Sequence, residues 1–188
     1  SSTQARGLGA LIVFDGDVHS AVDVTKTHTT RSDTFRSPEW GKLGEIDQDR
    51  VHVVRTPKRV VLPDNGLVEG IELIRLSLGT APRYLEWCGD AGVPGVVVEA
   101  FGRGNAPNGF ARAVEDLAGR DIPVVLASRC AAGRTAPIYG GDSGGHSLFA
   151  AGAIGSNGLS GVKARLVLSA LVAAGADRAR IASVFAQF

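Results

Sequence analysis

One lysine, Lys26, stands among hydroxyl side chains in the segment Asp23-Val24-Thr25-Lys26-Thr27-His28-Thr29-Thr30, shortly after the apolar run Ala10-Leu11-Ile12-Val13-Phe14. Desolvation beside an apolar wall disfavours an ammonium group, and a neutral lysine amine can take a proton from a hydroxyl nucleophile. The same threonines suit the pleated surface of a β-hairpin arm, on which a lysine would simply be solvated. Spacing alone leaves both readings open.

A second chemically suggestive stretch is Gly102-Arg103-Gly104-Asn105, one residue after the largely apolar run Val96 to Ala100. If that run is a parallel strand, the glycines fall in a loop at its carboxyl end, where open α/β sheets meet their ligands. Glycine lets the backbone approach a small polar molecule, and the amide of Asn105 offers donors and an acceptor to an amino-acid carboxylate or ammonium. A plain turn is the competing reading. Further on, Gly141-Asp142-Ser143-Gly144-Gly145 spells the nucleophile loop of chymotrypsin-like serine proteases, in which glycine amides flank a serine. That chemistry needs an all-β double barrel bringing a histidine and an aspartate from earlier in the chain. Here His19, His28 and His52 fall in hairpins of a chain that turns into alternating α/β units. The segment therefore reads mainly as a glycine-rich connector, with His146 a polar loop residue, and a serine hydrolase built on Ser143 is the weaker alternative.

The elements that would position these groups follow from punctuation. Residues 10 to 14 read as a buried strand, and Asp15-Gly16-Asp17 turns the chain into a second extended run from Val18 to Val24. Leu43 to Ile46 and Val51 to Arg55 flank Asp47-Gln48-Asp49 as another antiparallel pair. A stretch rich in proline, charge and Asn65-Gly66 then marks a linker over 57–69. Beyond it strands and helices alternate. Ile71 to Leu78 is strand-like, and Thr80 with Pro82 starts a helix over Arg83 to Ala91 that Gly92 closes. Val96 to Ala100 and Pro123 to Ala127 are buried strands, and Phe110 to Ala118 is a helix between them. Ser160 is placed to cap a helix over Val162 to Ala174, and Asp177 a last one whose Ile181, Val184, Phe185 and Phe188 share a face. The fold class is α/β: the end of a hairpin-containing N-terminal domain over 1–56, then a small doubly wound parallel-sheet domain over 70–188.

Composition bounds what the chain can bind. With 188 residues, 44% of them hydrophobic, it can bury a sizeable core. Twenty basic and nineteen acidic residues give a net charge of +1 without a run of one sign. Nothing in this balance favours nucleic acid or an anionic membrane as partner, and a small or neutral ligand fits better. The apolar runs are far shorter than the roughly 20 residues of a membrane helix. Cys88 and Cys130 show no metal-ligand spacing and read as unpaired thiols. There is no methionine, so Ser1 is expected to follow processing or to lie within a longer product.

The ordered blocks DVTKTHTTRSDTFRSPEWGKLGEID, VHVVRTP, FGRGNAPNGF, ASRCAAGRTAPIYGG and GVKARLVLSAL together resemble the back part of the bacterial-type L-asparaginases, the asparaginase/glutaminase family. The family's TGGTI-like and HGTDT-like motifs do not occur in these residues. The resemblance implies hydrolysis of L-asparagine to L-aspartate and ammonia, with L-glutamine a second substrate, by a threonine nucleophile and without a cofactor. Lys26 matches the family lysine that, with an aspartate, activates a threonine. Asn105 matches an asparagine that reaches a neighbouring subunit's substrate, which implies a homodimer or homotetramer. Where periplasmic-type members place an acidic substrate contact, this chain has Pro137-Ile138-Tyr139-Gly140, so Tyr139 is the expected contact, with Asp142 the other choice. The GNAP and PIYGG wording is closer to cytosolic-type relatives, which implies a cytoplasmic protein. The 188 residues alone are expected not to turn over substrate, and a noncatalytic amino-acid-binding module is the alternative.

Overall fold

The computed structural model describes residues 2–142 and 144–188, and the chain divides into two compact units, Ser1–Arg59 and Val60–Phe188. The alternation of strands and helices after residue 70 calls for a parallel sheet in the second unit, and that is what the chain forms.

The first unit begins with a short 3-10 turn at Thr3–Ala5 and continues through β1 (Leu11–Phe14), β2 (Asp17–Ser20), β3 (Thr25–Lys26), β4 (Phe35–Arg36), β5 (Gly44–Asp47) and β6 (Arg50–Val53). Four of these strands make an antiparallel sheet in the order β1-β2-β5-β6, and β3 pairs with β4 as a separate two-stranded arm. Both tight hairpins turn on left-handed backbone: Asp15 and Gly16 have φ of 50° and 79°, Gln48 and Asp49 of 43° and 66°. Two successive positive φ values match the right-handed twist of the flanking strands. Val18, Val24 and Leu43 are buried beneath the sheet.

In the second unit the elements are β7 (Glu72–Arg75), α1 (Arg83–Ala91), β8 (Val96–Ala100), α2 (Phe110–Gly119), β9 (Val124–Ser128), α3 (Gly145–Ala150), β10 (Ile154–Gly155), α4 (Gly161–Ala173) and α5 (Arg178–Phe185). The four strands are parallel and lie in the order β10-β9-β8-β7. Because the sheet grows in one direction, right-handed crossovers bring the connecting helices to one face. Leu85 and Cys88 of α1, Phe110, Val114 and Leu117 of α2 and Leu148 of α3 pack there against Val96, Val98, Ala100, Val124 and Leu126. The alternate residues Val97, Val125 and Ala127 point to the other face, which Leu168 and Leu171 of α4 and Val184 and Phe185 of α5 cover. Helices on both faces make the sheet doubly wound. Each large side chain fully buried this way contributes about 1.5–3 kcal/mol of transfer free energy.

Val60, Leu62 and Val68 pack against the α4 face, Ser169 Oγ donates to Val68 O at 2.6 Å, and Arg165 Nε donates to Ile71 O at 2.5 Å. The chain leading into β7 is thereby tied to the second unit's own core.

Two local expectations are corrected. Thr80 does not cap α1: its Oγ1 accepts from Ser77 N at 2.9 Å, and Pro82 occupies the cap position. His146, read as a loop residue, lies on the short helix α3, which begins at Gly145, the last residue of the stretch read as a connector. Ser160 does stand at the cap of α4, yet its side chain makes no capping bond. The first amide of the helix, Gly161 N, donates instead to Glu99 Oε1 at 3.1 Å. A carboxylate at a helix N-terminus satisfies an orphan amide and complements the positive end of the helix dipole.

Candidate functional site

At the carboxyl ends of β8 and β9 the connecting loops surround an open cleft of about 540 Å³, lined by Leu78, Phe101, Asn105, Pro107, Tyr139 and Gly144 among others. The loop after β8 is tight. Gly104 N and Asn105 N both donate to Phe101 O at 2.9 Å, and Phe101 N returns a bond to Asn105 O at 2.9 Å. Gly104 has a φ of 118°, and a Cβ there would lie 2.9 Å from Leu126 Cδ2, so the turn needs glycine both for its backbone and for its closeness to β9.

The loop after β9 folds against this one. Ala136 N donates to Arg103 O at 2.9 Å, and Gly145 N donates to Asn105 Oδ1 at 3.2 Å. An N–H can only donate, so the atom it meets must be the amide oxygen, which leaves the two N–H donors of Nδ2 at the other branch of the side chain. Tyr139 O accepts from His146 N at 2.9 Å, which holds the Tyr139 backbone to the start of α3. Gly144 sits so close to this turn that a Cβ would fall 2.0 Å from Tyr139 O. Asn105 and Tyr139 thus line one cleft, with the Tyr139 side chain half exposed. Asp142 is exposed on the same loop. Ser143 lies outside the described residues.

Around the cleft, Arg129 donates from Nη1 to Leu76 O at 2.7 Å and stacks over the Phe101 ring at 4.9 Å. Glu99 is buried on the opposite face of β8, where it receives Arg75 Nη1 at 3.3 Å as well as Gly161 N. Among the described residues no cluster of histidine, cysteine, aspartate or glutamate could hold a metal ion, and no helix is long and apolar enough to cross a membrane.

Lys26 belongs to the first unit. It sits on β3 opposite Phe35 and is exposed, so that unit by itself does not desolvate the amine. The hairpin around it is ordered by its own polar groups: Thr27 N donates to Thr34 O at 2.8 Å, His28 N to Thr34 Oγ1 at 2.9 Å, and Thr30 N to the His28 ring at 3.1 Å. Sequence reasoning missed the buried pair His19 and Ser37 behind this hairpin, whose Nδ1 and Oγ are 2.9 Å apart. No local signal announced it: in Asp17-Val18-His19-Ser20 an alternation that buries Val18 would turn His19 to the other face, yet Val18, His19 and Ser20 are all buried.

The fold is a hairpin-rich unit followed in the chain by an α/β unit with a cleft at its strand tips. Residues 70–185 match the family model described as the glutaminase/asparaginase C-terminal domain, and residues 1–59 match that of the asparaginase N-terminal domain. The chain belongs to the asparaginase/glutaminase family. It is 37% identical over 195 residues to a probable L-asparaginase of Deinococcus radiodurans, covering 98% of this chain and 57% of that protein. Against an L-asparaginase of Bacillus licheniformis the identity is 25% over 173 residues, 92% of this chain and 54% of that one. A glutamyl-tRNA(Gln) amidotransferase component of Methanosphaera stadtmanae is 30% identical over 127 residues, 63% of this chain and 29% of its own length. The chain thus spans little more than half the length of the asparaginases it matches.

Proposed function

We propose that these residues serve an amidohydrolase that converts L-asparagine to L-aspartate and ammonia. The observation that carries this reading is the convergence of Asn105 and Tyr139 on one cleft at the strand tips, in a chain of the asparaginase/glutaminase family. The Nδ2 donors of Asn105 suit a substrate carboxylate, and the Tyr139 side chain borders the same space. Lys26 acts as the amine that takes a proton from a threonine nucleophile, and that threonine and its aspartate partner are supplied by residues other than these 188. Formation of an acyl-enzyme with loss of ammonia, followed by attack of water, completes the reaction. Asn105 serves a neighbouring copy in a homodimer or homotetramer, and the protein works in the cytoplasm.

The test is ammonia release from L-asparagine and from L-glutamine by the complete protein, with light scattering for the assembly. Turnover of asparagine that disappears with Lys26→Arg supports the reading. Saturable binding of asparagine without ammonia release would establish the noncatalytic binding module instead. Several matches to amidotransferase components favour a second reading, in which the ammonia is delivered to a partner enzyme. Asparagine hydrolysis that stays low until such a partner is added would distinguish it.

A further inference from the structure

The two ends of the Lys26 hairpin are fastened to the rest of the first unit by side chains. At the entrance, Arg55 Nη2 donates to Asp23 Oδ2 at 2.8 Å and to Gly41 O at 2.7 Å. At the exit, Ser37 follows β4 directly, and its Oγ lies 2.9 Å from His19 Nδ1 on β2. His19 is only 3% exposed and Ser37 7%. The other ring nitrogen, His19 Nε2, is buried with no hydrogen-bond partner among the described residues, and its nearest carboxylate oxygen, Asp17 Oδ2, is 3.9 Å away. A buried ring with one nitrogen unsatisfied is a poor way to fill space, since an apolar side chain would do so without that cost. What the imidazole adds is the bond to Ser37. Phe35, two residues earlier, is the cross-strand partner of Lys26 and packs edge-on against Phe14 of β1 at 5.1 Å.

We propose that His19 is a positioning residue for Lys26: its bond to Ser37 fixes the exit of the β3–β4 hairpin as Arg55 fixes the entrance, so that the lysine is presented at a set place. The function of this device rests on the reading of Lys26 as the base, whereas the clamp itself is a property of the first unit.

The charged groups that act on His19 are Asp17 on its own strand, Lys42 just before β5, Arg36 on β4 and Arg55 after β6; Lys42 is paired with Glu45 and Arg55 with Asp23. Asp17 and Glu45 are both engaged by Lys42 Nζ, at 2.7 and 2.6 Å. Burial lowers the His19 pKa below its ordinary value of 6.5; Asp17 opposes this, and Lys42, Arg36 and Arg55 reinforce it. The folded unit therefore prefers the neutral ring. As pH falls below the ordinary histidine value the unfolded chain takes up a proton that the folded one resists. The clamp contributes fully above that value and is lost as pH falls through the folded pKa.

The test is amide hydrogen exchange on the full chain at pH 7 and pH 5, expressed as protection factors. Thr27 and His28 report the hairpin; Ile46, bonded to Gly16 O, and Val54, bonded to Leu43 O, report the four-stranded sheet. Ser37→Ala should lower hairpin protection about tenfold, the scale of one lost hydrogen bond, and leave the sheet reporters unchanged. His19→Asn, whose amide can stand where Nδ1 stood, should keep the protection and abolish its fall at pH 5. In the complete protein Ser37→Ala should lower kcat while KM is kept. Unchanged hairpin protection in Ser37→Ala, loss of sheet and hairpin together, retention of the wild-type pH dependence in His19→Asn, or a deprotected hairpin with unaltered kcat would each overturn the proposal. Near wild-type turnover in Lys26→Arg would remove the role of the lysine while leaving the measured clamp in place.

Discussion

Asn105 Oδ1 accepts a hydrogen bond from the backbone of Gly145 at 3.2 Å, joining the loop after β8 to the first amide of α3 across forty residues of sequence. The same side chain therefore joins the two loops with its oxygen, and on the proposed reading its nitrogen serves the ligand.

These two roles separate by substitution. Asn105→Ala leaves Gly145 N without its partner and should cost about 1 kcal/mol of stability, read from denaturant unfolding. Asn105→Asp keeps an acceptor for Gly145 but replaces the two N–H donors with a negative oxygen. It should preserve stability to within a few tenths of a kcal/mol, while KM for asparagine in the complete protein rises at least about tenfold, because a carboxylate would now face the substrate carboxylate.

Gly144→Ala should open the Tyr139 turn, since the added Cβ would lie 2.0 Å from Tyr139 O and 2.4 Å from Gly140 O. Neither carbonyl is a flexible side-chain tip that could move aside cheaply. A destabilisation of about 2 kcal/mol, seen as a lower urea midpoint with an unchanged m-value, is the expected outcome.

On the proposed reading Lys26→Arg keeps the charge and loses the base, because a guanidinium does not deprotonate at working pH. Turnover of asparagine by the complete protein should fall by about 10²–10⁴-fold, with the far-ultraviolet circular dichroism unchanged. Lys26→Ala should behave alike. The 188 residues by themselves should release no ammonia from asparagine with or without either substitution.

The two thiols should differ sharply. Burial, with Glu72 adding to it, pushes the Cys88 pKa up to about 11, and its side chain has no solvent access, whereas Cys130 is exposed. At pH 8 only about one Cys88 in a thousand would be ionised even if a reagent could reach it. A chromogenic disulfide reagent should therefore titrate one thiol in the native chain and two in urea, and Cys130→Ser should abolish the native reaction.

The parts of the fold legible in the sequence are those whose causes are local. Val96 to Ala100, apolar except for Glu99, became a strand with those bounds; Gly92, with a φ of 62°, closes α1 where a left-handed residue was needed. Asp177 caps α5 through Arg180 N at 2.7 Å, as its position before the helix implied. What stayed hidden depends on distant partners. The cap of α4 arrives from Glu99, 62 residues upstream, and its carboxylate replaces the Ser160 side chain that local rules favour. Helix α3 is six residues long and begins at a pair of glycines chosen for closeness to Tyr139 and Ala136 carbonyls, so no apolar period announced it. Of the candidate site, the GRGN loop was visible as glycine punctuation. Its junction with Gly145 was not, because a hydrogen bond between two loops leaves no periodic trace.

The strand order of the second unit never reverses, and this has a consequence for how its specificity can change. Where a sheet does reverse, diverging crossovers give a ligand two walls built into the winding itself. Here the cleft is lined by described residues of the loops after β7, β8 and β9, which rest on strand tips that the core holds independently. On the proposed reading, lengthening, shortening or exchanging those loops would redraw the ligand preference without rewinding a single strand, so new substrates would be reachable through loop grafts on an unaltered scaffold.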